Sequence, residues 1–293
     1  MKKQTKITRT SIEVTDACTL FCSSCKTPHG DNFITPSTFT LLAEKLQWHI
    51  SHLGLHWRGE PCLHPQLPEF AEIARELGFK PWLSTNTAVP NLSNIDYVQR
   101  LLDNLNWIEI CVDGYDVETA GKYRVGANWS QVKQNLQTIS QVETNCVKTM
   151  RVLMFKYNDG KEEVYRKMAK SYGMDELIFA QPLIGLKDTI NQSQAEEWLS
   201  ANPKYQRYHK TGEYWLRSTG KCTPNPMISV HGTVHPCCID WGLEHPIGDL
   251  LKAKSWSNIL SKYRKGRSQL GAQSMCELCC IPGKRISFKE KII

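Results

Sequence analysis

The chain has no apolar run approaching the roughly 20 residues that span a bilayer, so no membrane-crossing helix is expected. Its opening residues, Met1-Lys-Lys-Gln-Thr-Lys-Ile-Thr-Arg9, contain no apolar h-region, which argues against a secretory signal peptide. The expectation is a cytoplasmic protein without a membrane partner. Acidic residues are also in the minority, 29 against 36 Lys and Arg, leaving a net charge of +7. Lys2, Lys3, Lys6 and Arg9 carry part of the excess; Lys262, Arg264, Lys265, Arg267, Lys284, Arg285, Lys289 and Lys291 carry more of it. Such clusters attract phosphates or acidic peptides, but a solvated face is the commoner use, so nucleic acid is not the favoured partner. Cysteine, by contrast, is plentiful: twelve residues. In a reducing compartment these argue for metal ligands rather than disulfides. A chain of 293 residues with 41% apolar content can bury one large domain, or one and a small appendage.

Three of the cysteines fall in Cys18-Thr-Leu-Phe-Cys22-Ser-Ser-Cys25, just after Ile12-Glu-Val-Thr15, which reads as a short strand. Three soft thiolates on one loop can bind three irons of a 4Fe–4S cluster and leave the fourth open to a small molecule. A zinc loop is the competing reading, with His29 as the fourth ligand.

Downstream, helical and strand patterns alternate. A helix is expected over Pro36–Leu53, with Thr35 as N-cap and Gly54 past its end, then a strand at Leu55–Gly59. Further helices are expected around 67–77, 95–105, 132–142 and 161–172. Strands are expected at 80–85, 107–113, 150–155 and 177–181. Repeated βα units imply an α/β fold with a parallel sheet and outer helices, and chemistry at the carboxyl ends of the strands. His56 and His64 read as packing or capping groups, and Cys62 and Cys146 as structural.

The Cys18-x-x-x-Cys22-x-x-Cys25 loop resembles the signature of radical S-adenosylmethionine (radical SAM) enzymes. The residue before the third cysteine is usually aromatic in that family; here it is Ser24. The resemblance implies a partial (β/α)6 TIM-like barrel over residues 10–185. It also implies a catalytic 4Fe–4S cluster whose open iron is chelated by SAM. Reductive cleavage of SAM would yield a 5′-deoxyadenosyl radical that abstracts a substrate hydrogen, with a partner such as flavodoxin or ferredoxin as reductant. Gly59-Glu60-Pro61 is similar to the family's GGEP motif, with Arg58 in place of the first Gly, and implies contacts to the SAM amino group. Ser84-Thr-Asn86 resembles the polar strand end near the ribose, with Thr87 where Gly is common. Cys111-Val-Asp113-Gly114 resembles Ser-x-Asp-Gly, and Arg124 the arginine that meets the SAM carboxylate.

Residues 186–220 lose the βα rhythm and read as a connector. Cys222, Cys237, Cys238, Cys276, Cys279 and Cys280 follow, with a hairpin turning at His231-Gly232. A zinc ribbon would also use such spacing. Residues 221–285 resemble the SPASM/twitch extension, which implies one auxiliary 4Fe–4S cluster on Cys222, Cys237, Cys276 and Cys279. Cys238 and Cys280 are alternative ligands or, with Cys111, thiol hydrogen donors. The resemblance implies a peptide, protein or amino-sugar substrate, with oxidation or cross-linking ahead of epimerisation or tRNA modification. A zinc-stabilised binding module or an iron–sulfur electron carrier is the reading from another class.

Overall fold

A computed structural model describes residues 7–184, 192–206, 208–211, 213–216, 225–266 and 287–292. In chain order the first half runs β1 (Arg9–Ile12), α1 (Pro36–Leu46), β2 (His52–Gly54), α2 (Leu67–Glu76), β3 (Lys80–Thr85), α3 (Ile95–Asn104) and β4 (Trp107–Cys111). It continues with α4 (Val117–Tyr123), α5 (Trp129–Gln141), β5 (Val147–Leu153), α6 (Glu162–Ser171) and β6 (Glu176–Ala180). Then come α7 (Gln192–Trp198), the hairpin β7 (Tyr208–Thr211) and β8 (Glu213–Leu216), β9 (Met227–Ile228), β10 (Thr233–His235), β11 (Gly248–Asp249), α8 (Trp256–Gly266) and β12 (Ser287–Lys291).

Strands β1 to β6 lie side by side in sequence order, all parallel. The sheet does not close, as a partial barrel requires. The tail covers both edges instead: β9 pairs in parallel with β1, and β12 pairs antiparallel with β6. Beyond β9, β10 and β11 extend the sheet as an antiparallel meander, turning at Gly232 with φ of 81°. The core lies between the sheet and its helices, with Ile12, Leu53, Leu83, Ile110, Val152 and Phe179 all inaccessible to solvent. On the other face β4 and β5 carry Glu109 and Arg151, paired at 3.2 Å and half-buried, so these strands alternate rather than run apolar throughout.

Local chemistry explains where the elements begin and end. In α1 the Thr35 hydroxyl accepts from the Thr38 N–H and Pro36 occupies the first turn, where a missing N–H costs nothing. The helix buries Phe39, Leu42, Ala43 and Leu46 and stops there, because Trp48 adopts φ of 70°. The expected continuation to Leu53 does not occur. Leu53 and Gly54 belong to β2, and Leu55–Gly59 form the turn beyond it rather than a strand. Gly54 is a close-approach residue: a Cβ there would strike the Ser11 hydroxyl on the neighbouring strand.

Candidate active site

The cysteine loop leaves the carboxyl end of the β1 segment and is fastened by its backbone. The Phe21 and Ser23 N–H groups donate to the carbonyls of Val125 (2.9 Å) and Tyr123 (3.0 Å), and Cys25 N–H donates to Cys22 O (2.9 Å). Cys18 and Cys22 are partly buried and Cys25 is exposed. Burial pushes the Cys18 thiol up and the Cys22 thiol up to about 11; the neighbouring Cys25 adds to both shifts and the Arg124 charge opposes them. Metal loading of such thiols displaces protons. Asn86 reaches the loop, its Nδ2 lying 3.8 Å from Cys18 Sγ.

The zinc reading finds no assembled site here. The His29 ring packs on Phe21 at 4.8 Å. Among the described residues no three His, Cys, Asp or Glu side chains are grouped to hold one metal ion. Cluster thiolates sit on different irons and so stand farther apart than the ligands of a single ion.

The Gly59-Glu60-Pro61 turn packs directly under the loop. Glu60 N–H donates to Ala17 O (2.8 Å), and a Cβ on Gly59 would strike the carbonyls of Thr15 and Ala17. Gly59→Ala is therefore expected to push the base of the cysteine loop aside. The expected cost is about 1–3 kcal/mol in denaturant unfolding, with reduced iron uptake on reconstitution. Pro61 opens a short 3-10 turn, Pro61–Leu63, capped by the Glu60 side chain.

Glu60 is buried and its carboxylate is occupied by protein donors. It accepts from Cys62 N–H (2.9 Å), Thr85 Oγ1 (2.8 Å) and Asn86 N–H (2.6 Å), tying the ends of β2 and β3 together. Burial raises its pKa, opposed by these bonds. Glu60→Ala would strand three buried donors at about 1–3 kcal/mol each. We expect a loss of about 3 kcal/mol or more in unfolding free energy, with Glu60→Gln recovering part of it.

At the end of β3, Ser84 Oγ lies 3.2 Å from Cys111 Sγ on β4. Burial pushes the Cys111 thiol up, so it is kept protonated. Thr87 holds φ of 65°, the left-handed region that favours glycine. Asn135 secures that turn by donating to the carbonyls of Thr87 and Val89, both at 2.8 Å.

After β4, Asp113 is buried and accepts from Leu153 N–H at 2.7 Å. Its other oxygen, Oδ2, lies 2.7 Å from Arg124 Nε. The Nε–H is not aimed along that contact, so both buried atoms lack a directed hydrogen bond. Burial works against the Arg124 charge, but the Asp113 carboxylate beside it raises its pKa, so the guanidinium stays ionised. Gly114 is fixed by close approach, since a Cβ would strike the backbone of Ala120. In the tail, Cys237 and Cys238 are partly buried, and Trp57 Nε1 donates to Cys238 O at 3.3 Å. Cys222, Cys276, Cys279 and Cys280 lie outside the described residues.

A family model described as the radical SAM superfamily matches residues 12–168 of this chain. The protein is a member of the radical SAM superfamily. A second model, the SPASM iron–sulfur cluster-binding domain, matches residues 222–280. The chain is similar to the structure of anSMEcpe with bound AdoMet and Cp18Cys peptide, with a TM-score of 0.63 at 16% identity over 88% of this chain and 81% of that one. BtrN in complex with AdoMet and 2-DOIA gives 0.54 at 15% over 95% and 93%. Streptococcus suis SuiB bound to S-adenosylmethionine gives 0.59 at 14% over 93% and 72%. At such identities the likeness establishes the fold. No curated protein sequence matches.

The radical SAM and SPASM domains imply a catalytic 4Fe–4S cluster, an auxiliary cluster and SAM. The residues fit the catalytic set in two ways. The loop offers a donor set of three thiols with no competing carboxylate ligand among them. Beside it stands a buried guanidinium with an undirected N–H, suited to an anionic group. No helix among the described residues is long and apolar enough to cross a membrane.

Sequence reasoning missed a pair that secures this radical SAM centre from below. Arg58 Nε and Nη2 each donate to the Glu13 carboxylate at 2.8 Å, and Val230 N–H from the tail hairpin donates to the same carboxylate at 3.1 Å. One buried acid thus joins β1, the Gly59 turn and the tail. The only signal in the sequence was Arg58 itself, a charge where the resembling motif has glycine. The other omission is Tyr123, whose hydroxyl lies 3.0 Å from Ser24 Oγ.

Proposed function

We propose that this radical SAM enzyme abstracts hydrogen from a C–H bond of a peptide, protein or amino-sugar, with oxidation or cross-linking as the outcome. The observation that carries the reading is the Cys18–Cys22–Cys25 loop at the carboxyl edge of the sheet, ringed by Asn86, Asp113 and Arg124. When bound, SAM on the reduced catalytic cluster supplies hydrogen-atom abstraction, and the auxiliary cluster an electron acceptor.

The chain's own residues have these parts in the proposal. Cys18, Cys22 and Cys25 ligate the catalytic cluster. Arg124, oriented by Asp113, receives the SAM carboxylate through a charge-assisted bond. Gly59, Glu60 and Pro61 shape the wall at its amino end, and Glu60 fixes the backbone of Asn86. Ser84 and Asn86 form the polar strand end facing the ribose. Residues 10–185 form the catalytic unit, 186–220 a connector and 221–285 the auxiliary-cluster unit. Cys222, Cys237, Cys276 and Cys279 ligate the auxiliary cluster, and a flavodoxin or ferredoxin supplies the electron.

Peptide and amino-sugar substrates are supported by the bound ligands named for anSMEcpe and BtrN. Epimerisation is the second reading, because Cys111 is a buried, protonated thiol at a strand end and could return a hydrogen atom. Turnover in deuterated water separates them. Oxidation or cross-linking gives a product lacking hydrogen and free of solvent deuterium at the reacting carbon. Deuterium at that carbon, lost with Cys111→Ala, would replace the oxidation reading by epimerisation.

A further inference from the structure

The cysteine loop has an inner and an outer side. On the inner side Cys18 Sγ lies 3.8 Å from Asn86 Nδ2, and the charge of the buried Arg124 acts on Cys22. Between these two cysteines the side chains divide. Leu20 is 2% exposed and packs inward, whereas Phe21 beside it is 68% exposed. The Phe21 ring rests on His29 at 4.8 Å between centres, and the Phe21 N–H donates to Val125 O at 2.9 Å. Val125 is itself 45% exposed. Cys25, the third thiol, is exposed on the same loop.

An exposed Phe beside an exposed Val is ordinary on its own. Its charged frame is not. Residues 18–30 and 120–135 are joined by the backbone bonds from Phe21 to Val125 and from Ser23 to Tyr123. These two segments contain Lys26, Lys122, Arg124 and Lys133 and no Asp or Glu; Asp31 and Glu118 lie just beyond their ends. Arg124 is turned inward to Asp113, but the three lysines are exposed. An electron has to reach the cluster while SAM and substrate hold the inner side, so the outer side, where Cys25 meets solvent, is the approach left to a donor. An apolar spot framed by cations complements an acidic protein whose redox group has an apolar edge at its surface. A flavin presents such an edge, its dimethylbenzene ring.

We propose that Phe21 and Val125, framed by Lys26 and Lys122, are the docking surface for an acidic flavodoxin that reduces the catalytic cluster. The proposal rests on the SAM-cleaving reading of the cysteine loop. One electron crosses: the anionic flavin hydroquinone becomes the neutral semiquinone, no proton moves, and the net charge of the cluster falls by one. An aromatic side chain at the centre of an interface carries much of its affinity, so Phe21→Glu should raise the flavodoxin concentration giving half the maximal rate about tenfold or more. Phe21→Tyr keeps the ring and should stay within about twofold. Lys26→Glu combined with Lys122→Glu should raise the half-saturating concentration about fivefold at low salt and flatten its salt dependence.

The experiment measures 5′-deoxyadenosine from anaerobically reconstituted holoenzyme and SAM, with iron per chain determined on every sample. One arm is driven by flavodoxin reduced to its hydroquinone, over a range of flavodoxin and salt concentrations. The other is driven by dithionite, a small molecule that needs no docking surface. These are exposed side chains, so every variant should keep wild-type iron content and a dithionite rate within about twofold of wild type. The losses should appear in the flavodoxin arm alone. Phe21→Glu with an unchanged flavodoxin arm overturns the proposal and gives the patch to another occupant, a peptide substrate first. An equal loss in both arms also overturns it, because Phe21 would then serve the cluster loop itself. So does a wild-type flavodoxin arm that ignores salt. Wild type that is active with dithionite and inert with flavodoxin overturns the docking alone. Wild type that is inert with both removes the SAM-cleaving reading together with the proposal.

Discussion

Replacing Cys18, Cys22 and Cys25 together by alanine is expected to reduce SAM cleavage to the uncatalysed background while leaving the chain folded. The loop is held by backbone bonds to Tyr123 and Val125, not by its thiols. Cys25 is exposed and the other two are only partly buried, so truncation removes little buried surface. The variant should retain roughly four irons per chain on the auxiliary site, about half of the roughly eight expected for two clusters. 5′-Deoxyadenosine measured by chromatography, beside an iron assay, checks both halves. Cleavage at the wild-type rate would place the chemistry elsewhere.

The second large effect is expected at Asp113. Its carboxylate is the partner of the buried Arg124 guanidinium and also receives the Leu153 N–H. Removing one member of a buried pair strands the other, which typically costs about 3–5 kcal/mol. Asp113→Ala should therefore lose about that much in urea unfolding, a large share of the stability of an ordinary domain. Asp113→Ala combined with Arg124→Leu removes the stranded charge and should recover much of the loss. That double variant should still bind SAM poorly, because the cation is gone. If Asp113→Ala alone unfolds like wild type, the pair is not an ion pair of consequence in solution.

The contrast between Cys18–Cys22–Cys25 and Glu13–Arg58 shows what was legible in the sequence. The three cysteines announce themselves because their chemistry depends on residue type and local spacing, which a sequence displays directly. Glu13 and Arg58 are 45 positions apart and meet only because β1 and β2 are neighbours in the sheet. The same holds for Ser24 and Tyr123, brought together by the return of the chain after β4. Glu60 was readable as important, but its surroundings were not. A strand-end acid is also what a protein uses to close a turn, and here it serves three donors of its own chain.

Elements followed the same rule. β3 was readable at Lys80–Thr85 because its apolar run is bounded by Gly78 on one side and the Asn86–Thr87 turn on the other. α1 was read too long because Ile50 and Leu53 keep helical spacing after the backbone has already turned at Trp48. α4 escaped because seven residues give no periodicity. Its one local mark is the Asp116–Thr119 capping pair, in which each residue's side chain accepts from the other's backbone N–H.

The central claim is that the Cys18–Cys22–Cys25 loop carries an iron–sulfur cluster that SAM completes. The most direct test is incubation of anaerobically reconstituted, dithionite-reduced wild-type protein with SAM. The account predicts stoichiometric or greater 5′-deoxyadenosine and methionine, from protein with broad visible absorption. Intact SAM, with stoichiometric zinc and no visible absorption, would contradict it.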